Sequence, residues 1–261
     1  MTDDARLASE LAQAAGALLL AVRAENAGID PGELKDLGDR SAQELLSARL
    51  ATARPEDCVL SEEAVDDRRR LTASRVWIID PLDGTREFAE GRSDWAVHVA
   101  LWEGGSLVAA AVALPGIDTV LCTEPAPVVP ARRPGAGALR MAVSRTRPPA
   151  VAQALTGRLG LDPVPMGSAG YKVAAVVRGE VDLYVHAGGQ YEWDSAAPVA
   201  VALAAGLYAS RIDGSALVYN QADVLLPDLL VCRRELAQTI LTELASIART
   251  EGHDMSSGVP A

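Results

Sequence analysis

The sequence predicts a mixed α/β protein made of two halves that differ in the order of their elements. In the first half, two helical patterns precede strands joined by short turns, which indicates an antiparallel sheet with helices beside it. In the second half, strands and helices alternate, as in a sheet with helices on its faces. The Pro-, Ala- and Gly-rich stretch 123–138 lies between them, so we expect an N-terminal half over 1–138 and a C-terminal half over 139–261.

Two helices begin the first half. Apolar residues at spacings of three and four predict an amphipathic helix over 3–25 with the following stripe in the core: Leu7, Leu11, Ala14, Leu18 and Val22. The polar stretch 26–38, which contains glycines and a proline, is predicted as a loop. A second helix is expected over 39–53, with Asp39 as its N-cap.

Strands complete the first half. Short apolar runs with β-branched residues, bounded by turn residues, predict strands at 76–79, 95–102, 107–114 and 117–122. The turn Glu103-Gly104-Gly105-Ser106 between the runs 95–102 and 107–114 is a hairpin signal. We therefore expect an antiparallel meander after the strand at 76–79.

The second half alternates between the two kinds of element. The predicted strands are 139–144, 164–166, 183–186, 207–211 and 228–232. The predicted helices are 148–159, 169–178, 194–206 and 234–248, followed by a frayed tail over 251–261.

The composition excludes several classes of partner. Lys and Arg number 24 against 35 Asp and Glu, and the formal net charge of −11 argues against nucleic acids and anionic membranes, which favour basic patches. The three cysteines are far apart and lack C-x-x-C spacing, so we expect free thiols rather than disulfides or a zinc site. The acidic start does not resemble a signal peptide, and the longest uncharged apolar run, 196–209, is too short to span a bilayer. We expect a cytoplasmic protein.

The most informative motif follows the strand at 76–79 and reads Asp80-Pro81-Leu82-Asp83-Gly84-Thr85. Proline ends the strand, glycine frees the backbone, and threonine can begin a helix. Two carboxylates held this close repel each other unless a cation lies between them, so the motif favours a metal site beside a helix N-terminus that can receive an anion. The structural alternative is an Asp-Pro turn followed by an ordinary helix cap.

A second, weaker signal lies far downstream at Glu192-Trp193-Asp194-Ser195. Because proline is tolerated in the first turn of a helix, Pro198 predicts a helix start near Asp194. Plain N-capping explains Asp194. It does not explain the nearby Gly188-Gly189, which allows the backbone to approach another group closely.

Together, Glu62-Glu63, the run W-I-I-D-P-L-D-G-T and the distant W-D-S-A-A resemble the inositol monophosphatase superfamily of magnesium-dependent, lithium-sensitive phosphatases. The similarity extends over roughly residues 5–248. It implies a five-layer α-β-α-β-α sandwich, as in the related fructose-1,6-bisphosphatases, with the active site between the two halves. It also implies two or three Mg²⁺ ions per site, and homodimers are common among relatives.

The resemblance assigns roles to individual residues. The first metal would be held by Glu62, Asp80 and the Leu82 carbonyl, and the second by Asp80, Asp83 and Asp194. Thr85, paired with Asp39, would orient the attacking water and take its proton. The backbone N–H groups of Gly84 and Thr85 would hold the phosphate. The approach to Asp39 differs from the Pro-x-Thr type of many relatives, since it reads Lys35-Asp36-Leu37-Gly38.

Local differences within the family indicate the substrate. The D-G-T-R-E-F run, which includes Arg86, is similar to CysQ-type 3′(2′),5′-bisphosphate nucleotidases, as is the G-S-x-x-x-K stretch at Gly167. Ala187 stands where inositol phosphatases place a sugar-binding glutamate. The resemblance therefore implies hydrolysis of 3′-phosphoadenosine 5′-phosphate to AMP and phosphate in sulfate assimilation, with substrate contacts from Arg86, Ser168 and Lys172. For Lys172, a solvated helix position is an equal alternative.

Other functions remain open at this point. An inositol-1-monophosphatase or fructose-1,6-bisphosphatase would use the same chemistry, and a non-catalytic nucleotide or metal sensor would keep the same fold. The histidines are expected in structural roles at His98 and His186, and in the tail at His253.

Overall fold

The computed structural model describes residues 1–254 except 133, 134 and 136. The helices are α1 Asp3–Glu25, α2 Pro31–Ala53, α3 Thr85–Ala89, α4 Ala150–Leu159, α5 Ala169–Val177, α6 Glu192–Ala204 and α7 Ala237–Asp254. The strands are β1 Cys58–Ser61, β2 Arg75–Asp83, β3 Ala96–Glu103, β4 Ser106–Leu114, β5 Thr119–Cys122, β6 Arg140–Ser144, β7 Asp162–Met166, β8 Leu183–Tyr191, β9 Tyr208–Ser210 and β10 Leu225–Cys232.

The strands form two sheets, one on each side of the 123–138 stretch. Sheet one has the order β1-β2-β3-β4-β5, in which β1 runs parallel to β2 and the other neighbours are antiparallel. Sheet two has the order β7-β6-β8-β10-β9, with β6 parallel to both β7 and β8. The antiparallel meander predicted for the first half is confirmed.

Helices separate and cover the two sheets in five layers. α1 and α2 pack on the outer face of sheet one, α5 and α6 lie between the sheets, and α4 and α7 cover sheet two. Each interlayer space is filled by small aliphatic side chains, such as Leu19 on the outer face, Val201 in the centre and Leu155 beside α7. The expected α-β-α-β-α sandwich is therefore confirmed.

Helix α1 is long and apolar enough to cross a membrane by length and composition alone. One face of this helix, however, is buried against sheet one, with Leu11 at 1% and Leu19 at 0% exposure. Of the predicted stripe, Leu7, Ala14 and Leu18 are only partly buried, so the buried face is turned slightly from the prediction. Core helices of globular proteins pass the same hydropathy test, and burial of this face assigns α1 to that class.

The expectation of a loop over 26–38 and a helix from 39 is wrong, because α2 begins at Pro31. Asp30 caps this helix by accepting hydrogen bonds from Gly32 and Glu33 at 2.7 and 3.3 Å, and proline occupies the first helical position. Gly38 does not end the helix. A Cβ there would lie 2.9 Å from the Phe88 ring, so glycine allows α2 to pack closely. Asp39 is consequently inside a helix and is not its N-cap.

The predicted helix at 194–206 also starts earlier, at Glu192, with Tyr191 as its N-cap. Pro198 is therefore beyond the first turn rather than within it. Because proline has no N–H, the Asp194 carbonyl lacks its usual intrahelical donor. At the C-terminus, α7 continues to Asp254, so the frayed tail predicted from 251 is wrong for 251–254. The rest of that prediction, 255–261, lies outside the described residues.

Candidate active site

The end of β2 brings two carboxylates to one edge of sheet one. Asp80 and Asp83 flank an irregularity in the pairing of β2 with β3. Gly84 then adopts a φ of +93°, and a Cβ there would lie 3.0 Å from the Ser168 side chain. Both the backbone angle and the close approach require glycine at this turn. Thr85 begins α3, as predicted.

A third carboxylate comes from the C-terminal half. Asp194 is the third residue of α6, and its Oδ2 accepts a hydrogen bond from the Tyr191 N–H at 2.6 Å. Ligand atoms of Asp80, Asp83 and Asp194 all lie within 4.8 Å of one another. Burial, followed by the charge of Asp83, raises the pKa of Asp194 to about 6. Carboxylates this close require protons or a cation to compensate their repulsion.

Asp80 provides the test of whether a cation fits the acidic group, by which we mean Asp80, Asp83 and Asp194. Its side chain is almost fully buried, and Oδ1 accepts a hydrogen bond from the Leu82 N–H at 3.0 Å. Its Oδ2 is also buried and has no hydrogen-bond partner among the described residues. Burial, together with the charges of Asp83 and Glu62, raises the pKa of Asp80 well above its usual value. An orphaned carboxylate oxygen facing other carboxylates fits a hard cation that prefers oxygen ligands.

Asp83 is held by the start of α5, which lies in the central layer. Its oxygens accept hydrogen bonds from the Ser168 hydroxyl at 2.5 Å and from the Ala169 and Gly170 N–H groups at 3.1 and 2.6 Å. Burial alone would raise the pKa of Asp83. The adjacent His98 and these donors outweigh that effect and lower it to about 2. Asp83 is therefore the ionised member of the group.

His98 contacts this acidic group, although sequence reasoning gave it only a structural role. Its Nδ1 donates to the Trp193 carbonyl at 3.0 Å, and its Nε2 lies 3.2 Å from Asp83 Oδ2. His98 thereby connects Asp83 of sheet one to the start of α6 in the other half. The signal that could have found it is strand register, because antiparallel pairing places His98 opposite Asp80.

Glu62 follows β1 directly. The parallel register pairs Ser61 with Ile79, which brings Glu62 to the same edge as Asp80. Glu62 is exposed overall, but desolvation of its carboxyl, followed by the charges of Asp194 and Asp83, raises its pKa to about 7, so the carboxyl lies within their field. It is nevertheless not among the described carboxylates that meet within 4.8 Å.

The predicted pair of Asp39 and Thr85 is not hydrogen-bonded among the described residues. Thr85 Oγ1 instead donates to the Leu82 carbonyl at 3.4 Å. Asp39 is half-buried on α2, one residue after the glycine that packs against Leu82 and Phe88. Burial, followed by the charges of Glu63 and Asp36, raises the pKa of Asp39 to about 7.

A cavity of about 590 Å³ opens beside the acidic group. The residues proposed from the sequence as substrate contacts all line it: Gly84, Thr85, Arg86, Ser168 and Lys172. Two of them also have internal partners. Ser168 is the N-cap of α5, and the Lys172 ammonium donates to the carbonyls of Gly167 and Ser168 at 2.6 and 2.7 Å. Burial lowers the pKa of Lys172 to about 8.

Another part of the rim of this cavity was missed by sequence reasoning. It is formed by the loop between β6 and α4, which contributes Arg145, Thr146 and Arg147. The available signal was the R-T-R run directly after a predicted strand, because the carboxyl ends of strands in an α/β sheet commonly carry binding loops.

Comparisons with known proteins agree with this architecture. The sequence pattern of the inositol monophosphatase family matches residues 2–249. A protein of Mycobacterium leprae named 3′-phosphoadenosine 5′-phosphate phosphatase is 53% identical over 255 residues, covering 91% of this chain and 92% of the relative. A protein of the same name from Mycobacterium bovis is 55% identical over 244 residues, covering 90% and 91%.

Solved structures agree as well. The crystal structure of CysQ from Bacteroides thetaiotaomicron superimposes with a TM-score of 0.75 at 25% identity, covering 88% of this chain and 97% of that one. The family pattern extends over nearly the whole length of this chain. The two mycobacterial relatives are identical to this chain at more than half of the aligned positions. The chain belongs to the inositol monophosphatase family.

Proposed function

We propose that this protein is a Mg²⁺-dependent 3′(2′),5′-bisphosphate nucleotidase that hydrolyses 3′-phosphoadenosine 5′-phosphate to AMP and phosphate. The observation that carries the proposal is the meeting of Asp80, Asp83 and Asp194 from two halves, with one buried carboxylate oxygen left without a partner. The names of the two mycobacterial relatives support the choice of substrate.

The metal would be held by hard oxygen donors, which suit Mg²⁺ better than zinc. Asp80, Asp83 and Asp194 would hold one ion. Glu62, Asp80 and the Leu82 carbonyl would hold another, at the edge where β1 and β2 end. Two or three bound Mg²⁺ ions would supply charge neutralisation at the phosphoryl group and acidify a coordinated water.

The remaining chemistry falls to side chains and backbone around the β2 turn. Thr85 and Asp39 would orient the attacking water and accept its proton. A raised pKa of about 7 lets the Asp39 carboxylate exchange a proton near neutral pH. The N–H groups of Gly84 and Thr85 lie at the start of α3 and would orient the phosphate oxygens.

The cavity supports a nucleotide-sized substrate. Its volume of about 590 Å³ lies within the range of small-molecule sites. Ala187 lines it and offers no acceptor for a polyhydroxylated ring. The free cysteines Cys58, Cys122 and Cys232 suit a reducing compartment, so we place the reaction in the cytoplasm.

A phosphate-release panel tests the proposal. Purified protein is assayed with 3′-phosphoadenosine 5′-phosphate, inositol 1-phosphate and fructose 1,6-bisphosphate, each with Mg²⁺ and with EDTA. We expect the adenosine bisphosphate to give the highest kcat/KM, with turnover lost in EDTA and reduced by lithium. Higher kcat/KM on either sugar phosphate would assign the chain to that activity instead. Absence of turnover on all three would favour a binding protein.

A further inference from the structure

The cavity beside the acidic group has a basic side, even though the chain as a whole carries a net charge of −11. Asp83 and Asp194 line the cavity. The arginines at its rim come from two separate elements. Arg86 lies on α3, and Arg145 and Arg147 lie on the loop between β6 and α4. A cavity that is lined both by carboxylates, which would hold metal ions for one anionic group, and by guanidinium groups can hold a ligand with two separate anionic groups.

Not all of these cations are available to a ligand. Arg145 donates to Glu87 and Glu90 at 2.9 and 2.6 Å, so its charge is largely neutralised within the protein. The Lys172 ammonium is similarly occupied by two backbone carbonyls. Neither group is the best candidate for binding a second anion.

Arg86 and Arg147 are different. Both are exposed, and within the described part of the chain neither has a carboxylate within ion-pair distance. Arg86 donates to the Thr146 hydroxyl at 3.2 Å, which connects α3 to the rim loop next to Arg147. The two guanidinium groups therefore belong to neighbouring parts of one rim, and their charges are not compensated there.

The rim loop is also constrained in its backbone. The Arg147 N–H donates to the Ser144 hydroxyl at 3.3 Å, and Pro148-Pro149 follow at once, with Pro149 as the N-cap of α4. The two prolines restrict their own backbone and that of the residue before them, which lowers the entropy lost when a ligand is bound.

We propose that Arg86 and Arg147 bind the second phosphate of the substrate, the one that is not hydrolysed, and thereby make the enzyme prefer bisphosphates to monophosphates. This inference rests on the proposed function and assigns specificity to residues outside the metal group. Guanidinium groups suit the task because they form paired hydrogen bonds with phosphate oxygens.

The test compares adenosine 3′,5′-bisphosphate with adenosine 3′-monophosphate in the wild type and in Arg86→Ala, Arg147→Ala and Arg147→Lys. We expect each alanine variant to raise KM for the bisphosphate about tenfold and to change kcat/KM for the monophosphate by less than about twofold. Arg147→Lys should fall in between, since lysine keeps the charge but loses the planar fork. The matched control is Arg49→Ala, which removes an exposed arginine on α2 that does not line this cavity.

Equal losses on both substrates, no loss on either, or the same effect from Arg49→Ala would overturn the inference. If the wild type hydrolyses neither nucleotide, the proposed function is wrong, and thermal-shift titration with the same two nucleotides decides the inference without turnover. A larger Tm rise with the bisphosphate that disappears in Arg147→Ala supports it. Identical Tm rises in wild type and variant overturn it.

Discussion

Substitution of Gly170 by alanine tests the contact between α5 and the acidic group most directly. A Cβ at this position would lie 1.9 Å from His98 Nε2 and 3.0 Å from Asp83 Oδ2. The imidazole has little freedom to move, because it is fully buried and its Nδ1 is bonded to the Trp193 carbonyl at 3.0 Å. Relief of the clash therefore requires α5 to move away from β3.

The size of the effect follows from these distances. Restoring ordinary contact with Nε2 requires a shift of about 1.5 Å, which breaks the 2.6 Å hydrogen bond from the Gly170 N–H to Asp83. Overpacking costs about 1–3 kcal/mol, and a lost hydrogen bond to a charged group costs about 1.5–3 kcal/mol. The higher helix propensity of alanine relative to glycine offsets about 0.5–1 kcal/mol of this loss. We expect the free energy of unfolding to fall by about 2–5 kcal/mol.

Urea unfolding of the metal-free protein measures this change, and Gly157→Ala is the matched control. Gly157 also lies within a helix, but a Cβ there would meet nothing within 4 Å, so this variant should gain about 0.5–1 kcal/mol. The difference between the two variants isolates the clash from helix propensity. A Gly170→Ala protein as stable as Gly157→Ala would refute the close packing of α5 against His98.

Three further results are expected. Asp194→Asn should lower the Mg²⁺-dependent kcat/KM at least about a hundredfold and leave the circular dichroism spectrum unchanged. Even groups that only orient metal ligands contribute up to about a hundredfold, so a direct ligand should contribute more. A smaller loss would remove Asp194 from the site. In EDTA, the Tm should fall as the pH rises from 5 to 8. The pKa values of Glu62 and Asp194 are raised to about 7 and about 6 in the folded protein, so loss of their protons over this range destabilises the fold. Mg²⁺ should abolish the fall, and a Tm that rises with pH in EDTA would contradict the close approach of these carboxylates. Arg70→Ala should cost about 3 kcal/mol in urea, because Arg70 is fully buried and bonded to Asp66 and Asn220; a loss below about 1 kcal/mol would contradict these contacts.

The sequence predicted those parts of the site that depend on local order along the chain. The strand at 76–79, the turn at Gly84 and the helix start at Thr85 all follow from residues within a few positions of one another. The end of that strand was predicted wrongly, because β2 continues through Pro81 to Asp83. The start of α2 was missed for a different reason. Asp30-Pro31 is a strong cap signal, but the glycines after it are typical of loops. Gly38 is instead required by the close packing of α2 against Phe88.

The contacts made by His98 and Arg147 could not be predicted in the same way. His98 acts through a strand register and a carbonyl 95 residues away in sequence. Arg147 is placed by a loop whose position depends on the folding of the second sheet. Local propensity carries no information on such distant pairings, so the contacts that these two residues make become visible only in the three-dimensional structure.

The division of the acidic group between two halves has a consequence for how the protein unfolds. Asp194 reaches the other two aspartates because α5 and α6 fill the space between the sheets, and the inner faces of both sheets are buried against these helices. A small separation at this junction would disperse the carboxylates while every helix and strand remained formed. Ion affinity should therefore disappear at lower denaturant concentrations than the far-ultraviolet circular dichroism signal.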